Sequence, residues 1–161
     1  MRRRRDLPAV DRGERVLAWA ASPEGSAVAA TRDALYLADR EPPRLPWEEI
    51  ATADWDSDER VLRVVEVGTY GTPQPEHRLA LVDPDRLLSL VRERVTASIV
   101  VQRHVPVRDR LAVRVLGRRA PAGSGAFAWF VEYDDGLDPA DPAVAAVVDD
   151  ALASARGDVG E

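Results

Sequence analysis

The stretch D-P-D-R-L-L-S-L-V-R-E-R-V-T, residues 83–96, is where the apolar pattern of the chain changes from strand spacing to helical spacing. Asp83 offers a side-chain oxygen for a helix N-cap, and Pro84 suits the first helical position because its missing N–H costs nothing there. Four apolar residues then recur at helical spacing, namely Leu87, Leu88, Val91 and Val95. The stretch therefore predicts an amphipathic helix over 84–96.

Short apolar runs separated by turn residues precede this helix, and such a pattern is typical of strands. Two polar residues, Arg32 and Asp33, lie between two of the runs in the manner of a tight hairpin. Pro42, Pro43 and Pro46 predict a break in the chain, after which a strand is entered through a bend. The six predicted strands cover residues 14–21, 27–31, 34–38, 47–55, 60–67 and 77–82.

Strand-like runs return after the helix and are followed by a second helical pattern. The runs are 99–107, 111–116 and 127–133. Asp141 and Pro142 repeat the N-cap arrangement, and the apolar residues that follow predict an amphipathic helix ending near residue 156. Because strands cluster before each helix, the sequence predicts an α+β fold with mostly antiparallel pairing, in which the second part is a three-stranded antiparallel extension with a C-terminal helix.

Three short motifs precede the helix at 84–96. They are Val16-Leu17 in the opening strand, Thr31-Arg32-Asp33-Ala34-Leu35-Tyr36 in the hairpin, and Leu45-Pro46-Trp47-Glu48-Glu49-Ile50 at the entry to a later strand. Through these motifs residues 13–97 resemble a bacterial pleckstrin-homology-like (PH-like) domain. The resemblance implies seven strands in a bent antiparallel sheet or open barrel, capped by the helix. It also implies a binding scaffold without a shared catalytic residue set, so no functional residue is carried over.

These observations predict four segments. Residues 1–12 form a flexible basic tail, 13–97 the β-roll with its capping helix, 98–156 a βββα extension packed on the first half, and 157–161 a frayed tail. A chain of 161 residues is long enough to bury a substantial core.

Composition excludes several classes of protein. The chain has no cysteine and only two histidines, which removes thiol catalysis, disulfides and histidine-rich metal sites. No apolar run approaches the ~18 residues of a membrane span. The segment after Met1–Arg5 lacks the apolar core of a secretory signal, which predicts a cytoplasmic protein. All 22 basic residues are arginine, as expected of a GC-rich genome such as that of an actinobacterium.

Charge is segregated along the chain although the net charge is only −6. Residues 98–131 carry six arginines against one acid, and residues 132–161 carry nine acids against one arginine. These segments either pair with each other, face different partners, or merely keep a surface solvated. The pI of about 5.0 disfavours broad capture of nucleic acid, including by the basic run Arg2–Arg5.

No motif specifies a cofactor or a metal. Asp54, Asp56 and Asp58 have the spacing of a calcium loop, but Glu59 and Val65 stand where that loop needs glycine and a bidentate glutamate. The glycines around Ser124 precede a strand-like run, whereas a phosphate-binding loop opens a helix.

The candidate functional surface is the arginine-bearing face of the strands at 99–107 and 111–119 beside Trp129. Its residues are Arg103, His104, Arg114, Arg118 and Trp129. The sequence thus predicts a non-catalytic binding or scaffold module that recruits a protein partner or associates with itself. One alternative is recognition of an anionic surface, a lipid headgroup or nucleic acid, through the arginines. A second alternative is an enzyme that uses His104 or the carboxylates at 132–135.

Overall fold

A computed structural model describes residues 7–68, 73–121 and 125–161. The basic run Arg2–Arg5, which belongs to the predicted flexible tail, lies outside these residues. The chain divides into two compact units. Among the described residues, the first unit comprises those up to Ser98 together with 120–121, and the second comprises Ile99–Arg119 and Gly125–Glu161. We describe each unit by itself.

The first unit contains two antiparallel sheets and one helix. Its elements are β1 (Ala18–Ala21), β2 (Ala27–Ala30), β3 (Ala34–Leu37), β4 (Arg44–Pro46), a 3₁₀ turn (Trp47–Glu49), β5 (Ile50–Asp56), β6 (Val61–Glu66), β7 (Glu76–Ala80) and α1 (Asp85–Ser98). One sheet has the strand order β1-β2-β3-β4 and the other has the order β5-β6-β7. A single bridge between Ala21 and Val82 links the end of β1 to the segment after β7.

One apolar core joins both sheets to α1. Leu87, Leu88 and Val91 of the helix contribute to it, together with residues of β1 to β6. At its centre Trp47 is fully buried, and its indole Nε1 donates to the carbonyl of Thr31 at 3.1 Å. The first unit is therefore an open, bent antiparallel arrangement covered by a helix, and the predicted fold class is confirmed.

The structure corrects the predicted strand count. The described part of the first unit has seven strands, because β4 lies in the segment where the prolines predicted only a break. Leu45 of β4 is buried and pairs with Leu35 of β3. β4 is the edge of its sheet, and an edge strand tolerates proline because one of its sides needs no ladder hydrogen bonds. β1 is also shorter than the predicted strand at 14–21.

The predicted start of the first helix is wrong by one position. The helix begins at Asp85, and the carbonyl of Pro84 accepts the hydrogen bond from the amide of Leu88 at 2.8 Å. Pro84 therefore occupies the N-cap position. Asp83 has a φ of 47°, in the left-handed region, whereas N-cap residues adopt extended backbone.

The second unit is a three-stranded antiparallel sheet with one helix, as predicted. Its elements are β8 (Ile99–Arg108), β9 (Leu111–Arg118), β10 (Ala128–Tyr133) and α2 (Pro142–Asp158), and β9 is the central strand. The side chain of Asp141 accepts from the amide of Ala143 at 2.9 Å, which confirms the predicted N-cap. Val113, Val144 and Val148 form a small apolar core between the sheet and α2.

Candidate functional site

Strand register separates the five candidate residues onto two faces of the second unit's sheet. Arg114 lies opposite both His104 and Glu132, so these three side chains share one face. Arg103 and Trp129 pair with Val115 and Gly117, which belong to the other face. The structure therefore does not bring the predicted surface together as one patch.

Two of the candidate residues contact the C-terminal part of the second unit. The guanidinium of Arg103 donates to Ser154 Oγ at 3.1 Å and forms an ion pair with Asp158, both on α2. The indole of Trp129 donates to a carboxylate oxygen of Glu161 at 2.8 Å. Its ring lies so close to Gly117 that a Cβ there would be 2.8 Å from a ring carbon. Both side chains thus hold the C-terminal segment in place.

The basic and acidic segments pair with each other, which confirms one of the three alternatives drawn from the charge pattern. Besides the pair between Arg103 and Asp158, Arg114 pairs with Glu132. Arg108 lies 3.6 Å from a carboxylate oxygen of Asp141. Three arginines of the basic segment are thus neutralised by acids of the same unit.

Arg118 and its neighbour Arg119 differ from the other arginines of the basic segment in their surroundings. Arg118 is only 2% exposed, so a partner would not reach it. Burial lowers the pKa of its guanidinium, and the charge of Glu132 acts in the opposite direction. Arg119 lies over the ring of Phe127 at 4.7 Å, and that ring stacks on Trp129. Of the five candidate residues, only His104 and Arg114 are exposed.

Two of the carboxylates of the enzyme alternative are already bonded to other groups. Glu132 is paired with Arg114, and a carboxylate oxygen of Asp134 accepts from the amide of Ala112 at 2.9 Å. His104 lies beside Arg114 on an exposed strand. The described residues hold no group of three or more metal-binding side chains.

Sequence reasoning missed a polar cluster around Glu14 in the first unit. The Glu14 carboxylate accepts hydrogen bonds from Thr31 Oγ1 and Tyr36 Oη, each at 2.6 Å, and from Arg44 Nε at 2.9 Å. Burial by itself would raise the pKa of Glu14, but these three donors outweigh it and the pKa lies below its ordinary value. The partners stand 17 to 30 positions away in sequence, so no local motif reports them.

A second cluster joins Arg40, Glu66 and His77 in the first unit. Arg40 donates to both carboxylate oxygens of Glu66 at 3.0 and 3.1 Å, and His77 Nε2 lies 2.6 Å from one of them. Burial alone would raise the pKa of Glu66, but the bonds from Arg40 and His77 lower it overall. His77 is thus held in a structural hydrogen bond.

The first unit also carries a groove between β1 and α1, which we call the Leu17 groove. It consists of two adjoining hollows of about 380 and 240 Å³ that share Leu17, Ala18 and Arg86. Leu17 is 41% exposed, although it is a large apolar residue. The remaining apolar walls are Leu7, Val16, Trp19 and Leu90, and the polar rim is Asp85, Ser89 and Glu93. The sequence analysis could not find this groove, because its distinguishing feature is the exposure of Leu17 and the periodicity of apolar residues does not indicate which of them are exposed.

A further cleft of about 420 Å³ lies beside β7, also within the first unit. Residues Arg78, Leu79, Ala80 and Leu81 line one side of it. The β1–β2 hairpin, including Ser22 and Ser26, lines the other side. The outer edge of β7 is therefore accessible along this part of the strand.

Comparison with known proteins adds no assignment: no family model matches the chain, and no curated protein or solved structure matches it. Within the described ranges, no helix has the length and apolar character needed to cross a membrane.

Proposed function

We propose that the chain is a non-catalytic, cytoplasmic binding module and that the Leu17 groove receives an extended segment of a protein partner. The observation that carries this proposal is the exposure of Leu17 on the floor of a groove with apolar walls. Leu17 lies among other apolar side chains of the groove, and a contiguous apolar surface rimmed by polar residues is typical of an interaction site.

The position of the groove supports an extended ligand. β1 is the edge strand of its sheet. The backbone amide of Ser22 donates to the carbonyl of Ser26 across the β1–β2 hairpin. Because hydrogen-bonded pairs alternate in an antiparallel ladder, the N–H and C=O groups of even-numbered residues of β1 bond to β2, and those of odd-numbered residues point away from β2. Ala21 follows this rule, since its carbonyl accepts from Val82 at 2.8 Å. Trp19 therefore directs its N–H and C=O toward the groove, where an added strand would use them.

The resemblance to the PH-like family also supports a binding role. The family implies seven strands followed by a capping helix, and the first unit has seven described strands followed by α1. The anionic-surface alternative has less support, because Arg103, Arg108 and Arg114 are already paired with acids.

The proposal is tested by panning a random peptide display library against the purified chain and measuring the selected peptides by fluorescence anisotropy. We expect selected peptides to share an apolar residue. Leu17→Glu should weaken their binding by at least about tenfold, which corresponds to about 1.4 kcal/mol.

The matched control is Val100→Glu in the second unit, since Val100 is 47% exposed and lies outside the groove. It should leave affinity unchanged within about twofold. Failure to select any peptide, or equal binding by Leu17→Glu and the wild type, would refute the proposal. Circular dichroism of both variants shows whether each is folded.

A further inference from the structure

The rim of the Leu17 groove on the side of α1 is acidic. Asp85, Ser89 and Glu93 stand four positions apart in sequence, so they form one ridge along the helix, and all three are exposed. They line only the larger of the two hollows, which therefore follows α1 over about two turns. Leu17 lines the same hollow, so an exposed apolar side chain adjoins a ridge that carries two carboxylates.

The two carboxylates of this ridge are accessible to an incoming cation. Glu93 is 67% exposed, and its nearest ion-pair contact, with Arg94 of the same helix, is 3.9 Å long. A long contact at an exposed residue contributes little, so a second cation can compete with it. Arg86 is the one arginine among the described residues that line the groove, and it belongs to both hollows. It therefore disfavours a cation where the hollows meet and leaves the acidic ridge as the place for one.

We infer that the segment received by the Leu17 groove is basic, with an apolar residue against Leu17 and two arginine or lysine residues, four positions apart, that meet Asp85 and Glu93. This inference rests on the binding role proposed above for the groove. The two acids are eight positions apart, which is a rise of about 12 Å along a helix. Four residues of an extended segment span about 13 Å, and every second residue projects to the same side. The two cations and the apolar residue midway between them thus reach the larger hollow together.

The test compares three fluorescein-labelled peptides by anisotropy with the purified chain at low ionic strength. The first peptide, Gly-Arg-Thr-Leu-Thr-Arg-Gly, has the inferred pattern, and the other two carry glutamine or glutamate in place of both arginines. The arginine peptide should bind at least about tenfold more tightly than the glutamate peptide, with the glutamine peptide between them. This preference should shrink in molar salt, because exposed charges are screened.

Variants locate the preference, because a chain with a net charge of −6 attracts cationic peptides in general. The double variant Asp85→Asn, Glu93→Gln should weaken binding of the arginine peptide by about fivefold or more and change binding of the glutamine peptide by less than about twofold. The matched control is Asp149→Asn with Asp150→Asn, which removes two exposed acids from α2. It should change neither affinity by more than about twofold. Circular dichroism of both double variants shows whether each is folded.

Equal binding of the three peptides, or an equal loss in the groove variant and the α2 control, overturns the inference. Display-selected peptides that depend on Leu17 but bind the Asp85→Asn, Glu93→Gln variant as tightly as the wild type also overturn it, and they leave the proposed function standing. Binding of the arginine peptide that is unchanged by Leu17→Glu refutes the proposed function and the inference with it. The two proposals are therefore distinguished by which substitution the binding resists.

Discussion

Two acids, Glu14 in the first unit and Asp158 in the second, use charge in opposite ways. In the first unit, Glu14 is 9% exposed and accepts three hydrogen bonds from three different parts of the fold. In the second unit, Asp158 is 62% exposed and pairs with one arginine. Shielded charges are expensive to bury and must be fully satisfied, whereas exposed pairs are screened by water and salt. The hydrogen bonds of Glu14 therefore fix three parts of the fold relative to one another, whereas the pair between Asp158 and its arginine mainly neutralises surface charge.

The apolar cores of the two units also differ, because a fully buried indole fills the first and smaller side chains fill the second. Substitutions in these cores should give the largest losses of stability among the predictions. Trp47→Ala should destabilise the first unit by about 3–5 kcal/mol, because the fully buried indole fills the centre of its core. In the second unit, Val148→Ala should cost about 1–2 kcal/mol, since only methyl-sized groups are removed from a small core. Urea denaturation followed by circular dichroism measures both. A loss for Val148→Ala as large as that for Trp47→Ala would contradict this contrast.

The shielded carboxylate of Glu14 should make stability depend on pH. Its pKa in the folded chain lies below the ordinary value of 4.5, so its contribution is present above that value and is lost as pH falls through the folded pKa. Glu14→Gln should cost about 1–3 kcal/mol at neutral pH, because it leaves donors without their charged acceptor. Thermal melts across the acid range test this, and the variant should show a flatter acid limb. An acid limb identical to that of the wild type would rule out the assigned role.

Steric tests sharpen the description of the second unit. Gly117→Ala places a Cβ 2.8 Å from the Trp129 ring, and the resulting overpacking should cost about 1–3 kcal/mol. Gly157→Ala is the control, since its Cβ would meet no atom within 4 Å and alanine favours the helix. Chemical denaturation gives the two stabilities, and tryptophan emission should change only in the first variant. Equal effects at both positions would exclude the close approach of Trp129.

The smallest expected effect is at Arg103. Arg103→Gln removes a pair whose acid is largely exposed, so it should cost less than about 1 kcal/mol. The cost should shrink further in molar salt, whereas the cost of Glu14→Gln should persist there. Denaturation of both variants at low and high salt measures the contrast. If salt abolished the Glu14 effect as well, the distinction between the units would not hold.

Local sequence patterns predicted the helices and strands better than they predicted the candidate functional surface. The apolar spacing after Asp141 predicted α2, and Arg32 and Asp33 predicted a hairpin, because these signals depend on neighbouring residues. β4 was missed because its prolines resemble a break, and only the pairing of Leu45 with Leu35 reveals a strand. The candidate surface was divided because strand register, which sequence does not specify, places Arg103 and Arg114 on opposite faces.

The bridge between Ala21 and Val82 has a consequence for how the first unit folds. These residues lie 61 positions apart, so joining them closes a long loop, which costs more entropy than closing a short one. The β8–β9 hairpin needs only a short loop between Arg108 and Leu111. Low contact order favours rapid formation of that hairpin, whereas the contact between Ala21 and Val82 should form later.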